Sequence, residues 1–239
     1  MNYNVSRVVN ILRSEGNPRN VEGMVRFGIT SVKAFGVSAP FIRGLARKIG
    51  RDHQLALGLW STGIHEARAV AALIGDPAKV TKSLMNSWVK DFDNWAVCDC
   101  ACGVLFDKTP FAYEMARKWT KRREEFVRRA GFVMMASLAV HDKKASDSEF
   151  LKFLPIIERG ATDDRNFVKK AVNWALRQIG KRNLRLNAAA IKSGKKIRRL
   201  NSTSARWIAA DALRELKSAS VRERLRRRKI VRLTNRTRG

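Results

Sequence analysis

A chain of 239 residues with 45% hydrophobic content can bury a sizeable core, as one large domain or two small ones. Its 49 Lys and Arg against 21 Asp and Glu give a net charge of +28, which ranks nucleic acid first among partners, ahead of an anionic membrane surface or an acidic protein. No apolar run approaches the roughly 18–20 residues that cross a bilayer, so no transmembrane segment is expected.

In chain order, the first element is an amphipathic helix with Val5, Val8, Val9 and Leu12 on one face. Arg7 and Arg13 are spread through it, and it lacks the apolar core and cleavage site of a secretory signal, which points to the cytoplasm. Phe41, Leu45 and Ile49 repeat the helical spacing. It returns in Leu55–Trp60, Ala67–Ile74, Val80–Val89, Trp95–Phe106, Phe111–Trp119, Phe126–Val140, Phe150–Ile157, Phe167–Ile179 and Ala205–Leu216. Strand alternation is lacking. Short breaks such as Gly75-Asp-Pro77, Lys108-Thr-Pro110 and Gly180 to Asn183 separate the helices.

Helices of similar length in antiparallel pairs fit an all-α superhelical solenoid of the HEAT or armadillo class, with an irregular helical bundle as the competing architecture. A solenoid offers an extended concave face, and one lined by Lys and Arg suits a duplex backbone. The expected organisation is one domain over residues 1–218. Residues 219–239 read as a basic, disordered tail, because Arg222 to Gly239 holds nine Lys and Arg against Glu223 alone. Most of the +28 therefore belongs to the folded body. Cys98, Cys100 and Cys102 alternate, and His53, His65 and His141 are scattered. That is poor zinc spacing, so the thiols read as buried and reduced and no metal is expected.

The most informative stretch is Asp91-Phe-Asp-Asn-Trp95-Ala-Val-Cys-Asp99. Trp95 and Asp99, four residues apart, share one helix face, so a ring and a carboxylate address the same ligand. With Phe35-Gly-Val-Ser-Ala-Pro-Phe-Ile-Arg43, Ile64-His-Glu-Ala-Arg68 and Phe167-Val-Lys-Lys-Ala-Val-Asn-Trp174-Ala-Leu-Arg177, this stretch resembles the AlkD-like DNA alkylation repair family of HEAT-like-repeat DNA glycosylases. The resemblance covers residues 1 to about 218.

The resemblance implies that Asp99 is the catalytic carboxylate and that Trp95 and Trp174 line the lesion. It places Arg129 near the lesion's backbone, with the adjacent Arg128 as the other register. Arg43 and Arg47 match backbone-contacting positions. Relatives often carry a tyrosine where this chain has Met24-Val25-Arg26-Phe27, which leaves lesion preference open. The implied partner is double-stranded DNA containing alkylated bases, bound by a monomer, with no membrane and no cofactor.

Those residue types suit the chemistry. Alkylation at purine N3 or N7 makes the base cationic, so it leaves as a neutral molecule with little need of a proton. The usual pair of carboxylates then reduces to one, which stabilises the oxocarbenium-like sugar and orients water. Indole faces attract the cation. The family also implies that the lesion is held without flipping into a pocket, unlike most glycosylases.

Blander readings stand beside these. A helical Asp is ordinarily a cap or an ion-pair partner, and Trp60, Trp88, Trp119 and Trp207 are assigned to packing or helix contacts. His65 and Glu66 read as structural polar contacts. Lys169 and Lys170, in the basic run around Trp174, form either a solvated face or a phosphate-tracking one. The rivals to a glycosylase are a non-catalytic DNA- or RNA-binding protein and a protein–protein scaffold.

Overall fold

The computed structural model describes residues 3–30 and 33–236, with side chains through residue 227. Among the described residues every regular element is helical. The chain divides into two compact units, residues 1–112 and 113–239. Each half has its own core. The first buries Leu12, Leu59, Met85, Leu105 and Phe106, and the second Trp119, Phe132, Met134, Phe150 and Phe153.

The first unit contains α1 (Val5–Ser14), α2 (Pro18–Arg26), α3 (Ala39–Ile49), α4 (His53–Ser61), α5 (His65–Ile74), α6 (Lys82–Trp88) and α7 (Trp95–Val104). In a chain short of acids, most starts are capped by neutral side chains. Asn4, Asn17, Ser38, Thr81 and Asn94 each accept a first-turn backbone N–H. The unit is cross-braced by stacked indoles, Trp60 and Trp88, with centroids 3.9 Å apart and planes 3° from parallel. Asp91 belongs to this brace. It accepts the Trp60 indole N–H at 2.8 Å, while Arg68 donates to the Asp91 carbonyl at 2.9 Å and lies over the Trp60 ring. The packing assignment of Trp60, Trp88 and Trp119 agrees with their burial.

The second unit contains α8 (Ala112–Trp119), α9 (Glu125–His141), α10 (Asp147–Gly160), α11 (Asn166–Gly180), α12 (Leu184–Arg198), α13 (Thr203–Leu216) and α14 (Ala219–Arg236). Its side-chain bonds show two layers. Arg129 reaches Phe167 and Arg182 reaches Ala139, so α9 and α11 run in step. Lys169 meets Trp207, Asn173 meets Asp211 and Lys181 meets Glu215, so α11 and α13 are also parallel. On the other layer, Asn183 donates to Asp147 and Ser193 to Glu158, aligning α10 with α12. Alternating helices in two parallel layers are the HEAT-like arrangement expected. Close approach needs small residues: a Cβ on Gly160 would meet the Phe132 ring at 2.4 Å.

Two elements differ from the sequence reading. α12 was not expected, because its buried positions are Leu186, Asn187, Ala190, Ser193, Gly194 and Ile197, too small and polar to register as an apolar stripe. The segment expected as a disordered tail is helical from Ala219 to Arg236. Val221 and Leu225, one turn apart, are 5% and 1% exposed, and they fasten α14 despite its charge. Residues 237–239 of that tail lie outside the described residues.

Candidate functional site

The first unit presents one face built around α7. Asn94 fixes its start: fully buried, it accepts from the Ala96 and Val97 amides at 2.9 and 3.1 Å, which makes Trp95 the first helical residue. Its amide nitrogen sits 2.7 Å from Asp93 and 3.4 Å from His65 Nδ1. Burial is the main cause that lowers the His65 pKa, and a neutral ring leaves Nδ1 able to accept.

Val97, Cys98, Ala101 and Cys102 bury the opposite side of α7. The half-open positions are Trp95, Ala96, Asp99, Cys100, Gly103 and Val104, with the ring and the carboxylate one turn apart. The Trp95 indole N–H donates to the Phe27 carbonyl at 2.8 Å, which pins the ring's edge at the end of α2. Phe27 itself is 72% exposed.

Arg43 enters from α3. The Cys100 thiol is pushed up to about 11, chiefly by burial, then by the Asp99 charge, with Arg43 opposing both. Arg43 and Asp99 therefore both act on the same thiol. Arg43 and Arg47 are exposed on one face, one turn apart. The preceding loop is aimed by Glu66, a fully buried carboxylate that accepts the amides of Phe35, Gly36 and Val37 at 2.7–3.3 Å. Gly36 sits at φ +78°, where a Cβ would strike the Asn17 carbonyl at 2.3 Å. Glu66 is thus the structural polar contact expected of it.

In the second unit Trp174 is half-exposed on α11, between Lys170 and Arg177 on one helix face. Lys170 is exposed. Lys169 holds its ammonium 5.6 Å from the Trp207 ring centroid.

Arg129 departs from expectation. It is 5% exposed and donates to the Phe167 carbonyl at 2.6 Å, so as placed it fastens α9 to α11 and leaves little surface for a phosphate. Arg128, the other register, is more open but pairs with Asp163 at 3.0 Å. Burial works to raise the Asp163 carboxyl, but hydrogen bonding and charge from Arg165, with Arg128 behind it, outweigh that and hold it below the usual range.

Trp207, expected in packing or helix contacts, makes such a contact with Lys169 of α11 but is 42% exposed and so is no part of the core. The signal was present in the sequence. The buried stripe of α13 runs Ala205, Ile208, Ala209, Ala212, Leu213, Leu216, and Trp207 falls off it. Among the described residues no group of His, Cys, Asp and Glu could hold a metal, and no helix is long and apolar enough to cross a membrane.

Helices alternating in two parallel layers define the HEAT-like class of fold. The chain belongs to the DNA alkylation repair enzyme family, whose profile matches residues 8–216. A solved structure described as representing "a new family of proteins related to the HEAT-like repeat DNA glycosylases with affinity for branched DNA structures" matches with a TM-score of 0.74. Identity is 20%, over 89% of this chain and 95% of that one, so the likeness is one of fold. No curated protein sequence matches the chain.

Proposed function

We propose that the protein is a DNA glycosylase that hydrolyses the N-glycosidic bond of cationic N3- and N7-alkylated purines in duplex DNA, the first step of base excision repair. Asp99 stabilises the electron-poor sugar and orients water. Trp95 takes the lesion nucleotide beside Asp99, Trp174 offers the DNA a second indole, and Arg43, Arg47, Lys169 and Lys170 take phosphates. Arg129 acts through the Phe167 carbonyl, setting the turn of α11 that leads to Trp174. A lesion-phosphate contact by Arg129 would require its guanidinium to leave that carbonyl. The protein acts as a monomer on DNA in the cytoplasm or nucleoid.

The observation that carries this reading is the half-open α7 stripe. Trp95 and Asp99 lie one turn apart on it with Ala96 between them, and Arg43 and Arg47 are exposed one turn apart on α3.

The test is release of methylated base from alkylated duplex DNA. Wild type should release it, and Asp99→Asn should lose at least about a hundredfold in rate while binding duplex as well or better, since a charge facing phosphates has gone. Wild type that binds but releases no base overturns the proposal. A second reading is then favoured by the fold match, whose described affinity is for branched DNA: a non-catalytic protein that grips DNA on the same basic faces.

A further inference from the structure

We infer that Trp207, with Lys169 beside it, is a stacking platform for an unpaired nucleotide of bound DNA. The inference rests on the nucleic-acid reading above, but not on glycosylase activity.

An indole left 42% exposed keeps a large apolar face in water, which a side chain serving only the core would avoid. The residues around it say what would cover the ring. In the second unit the exposed large hydrophobic side chains, among the described residues, are Trp207 and Leu200 alone, at 42% and 36%. A protein partner needs a contiguous apolar patch, and two isolated side chains do not supply one.

The field around the ring is positive. Lys169 lies over it at 5.6 Å, and Lys170, Arg206 and Arg214 are exposed on the same two helices. The nearby acid Asp211 is engaged by Asn173, Arg177 and Arg214. Lys169 and Trp207 also lie toward the N-terminal ends of α11 and α13, which run parallel. An aromatic face within reach of an ammonium matches what single strands require, a base stacked on the ring and its phosphate on the cation. Bases inside an intact duplex already stack on their neighbours and offer no face. The ligand is therefore a nucleotide at a strand end, gap or branch.

The test compares the full chain with Trp207→Ala and Trp207→Phe, binding a blunt duplex and the same duplex with a single-stranded extension. Trp207→Ala should lose about tenfold in affinity for the extended DNA, and less than about twofold for the blunt duplex. Trp207→Phe should keep most of the binding, because a phenyl ring still stacks. Melting curves matching wild type exclude a folding defect, and if the alanine variant melts early, the Trp quenching by extended DNA that wild type shows and the phenylalanine variant lacks, with blunt duplex as the control, gives the same comparison. Equal losses on both DNAs, or no loss on either, overturn the inference. Failure of wild type to bind any DNA sinks the nucleic-acid reading itself, which is a separate result.

Discussion

Glu66 organises the loop in front of α3 with one carboxylate. The amides of Phe35, Gly36 and Val37 all donate to it. Removing the carboxylate would strand three N–H groups around a fully buried hole, at about 1–3 kcal/mol for each unsatisfied donor, less whatever water recovers. Glu66→Ala should therefore destabilise the protein by about 3–5 kcal/mol in urea unfolding. Glu66→Gln should recover part of that, because its carbonyl oxygen still accepts. A Glu66→Ala variant within about 1 kcal/mol of wild type would mean that the loop holds itself. This residue also shows what sequence withholds. The i, i+4 spacing of Trp95 and Asp99 is visible in the chain, whereas a carboxylate capping amides thirty positions away is visible only once the fold closes. The burial of Arg129 is hidden for the same reason, since its partner is the backbone carbonyl of Phe167, which has no side-chain signature.

At the scale of elements, legibility follows the chemistry of the buried stripe. α9, α11 and α13 bury large or recurrent apolar residues and are plain from periodicity. α12 packs Asn187, Ser193 and Gly194 inward, with Asn187 donating to the carbonyls of Gly180 and Leu216, so its contacts are polar and close instead of greasy. The exposure of Trp207 is legible in its phase, since it falls off the buried stripe of α13. α14 shows the reverse error, in which a high charge density concealed a short anchor. Val221 and Leu225 lie one turn apart and are nearly sealed, and each such burial stabilises by about 1.5–3 kcal/mol before the cost of ordering the helix. Ending the chain at Ser218 should lower Tm by about 4–8 °C, corresponding to about 2 kcal/mol for a chain of this size, with the transition still cooperative. An unchanged Tm would show that the segment is a tether laid on the surface and not part of the second unit.

At the scale of the whole molecule, the sign of the charge matters less than where the scarce acids are used. Asp91 braces Trp60, Glu66 holds a loop, Asp163 gathers Arg128 and Arg165, Asp211 and Glu215 tie α13 to α11, and Glu158 meets Ser193 and Lys196. Internal pairs thus neutralise much of the acidic complement of 21, while 49 Lys and Arg leave most of their number facing outward. A polyanion approaching such a surface meets cations with few interspersed carboxylates, and binding is driven by release of its counterions. If six to ten phosphates are neutralised, the logarithm of the duplex association constant should fall with the logarithm of salt at a slope of about −5 to −9. Affinity should then drop by about a thousandfold or more between 50 and 200 mM salt. Fluorescence anisotropy with an undamaged duplex measures this without any chemistry, so it stands whether or not Asp99 proves catalytic. A slope shallower than about −3 would mean that DNA touches only a corner of the protein, and the charge would then be better explained by an acidic protein partner.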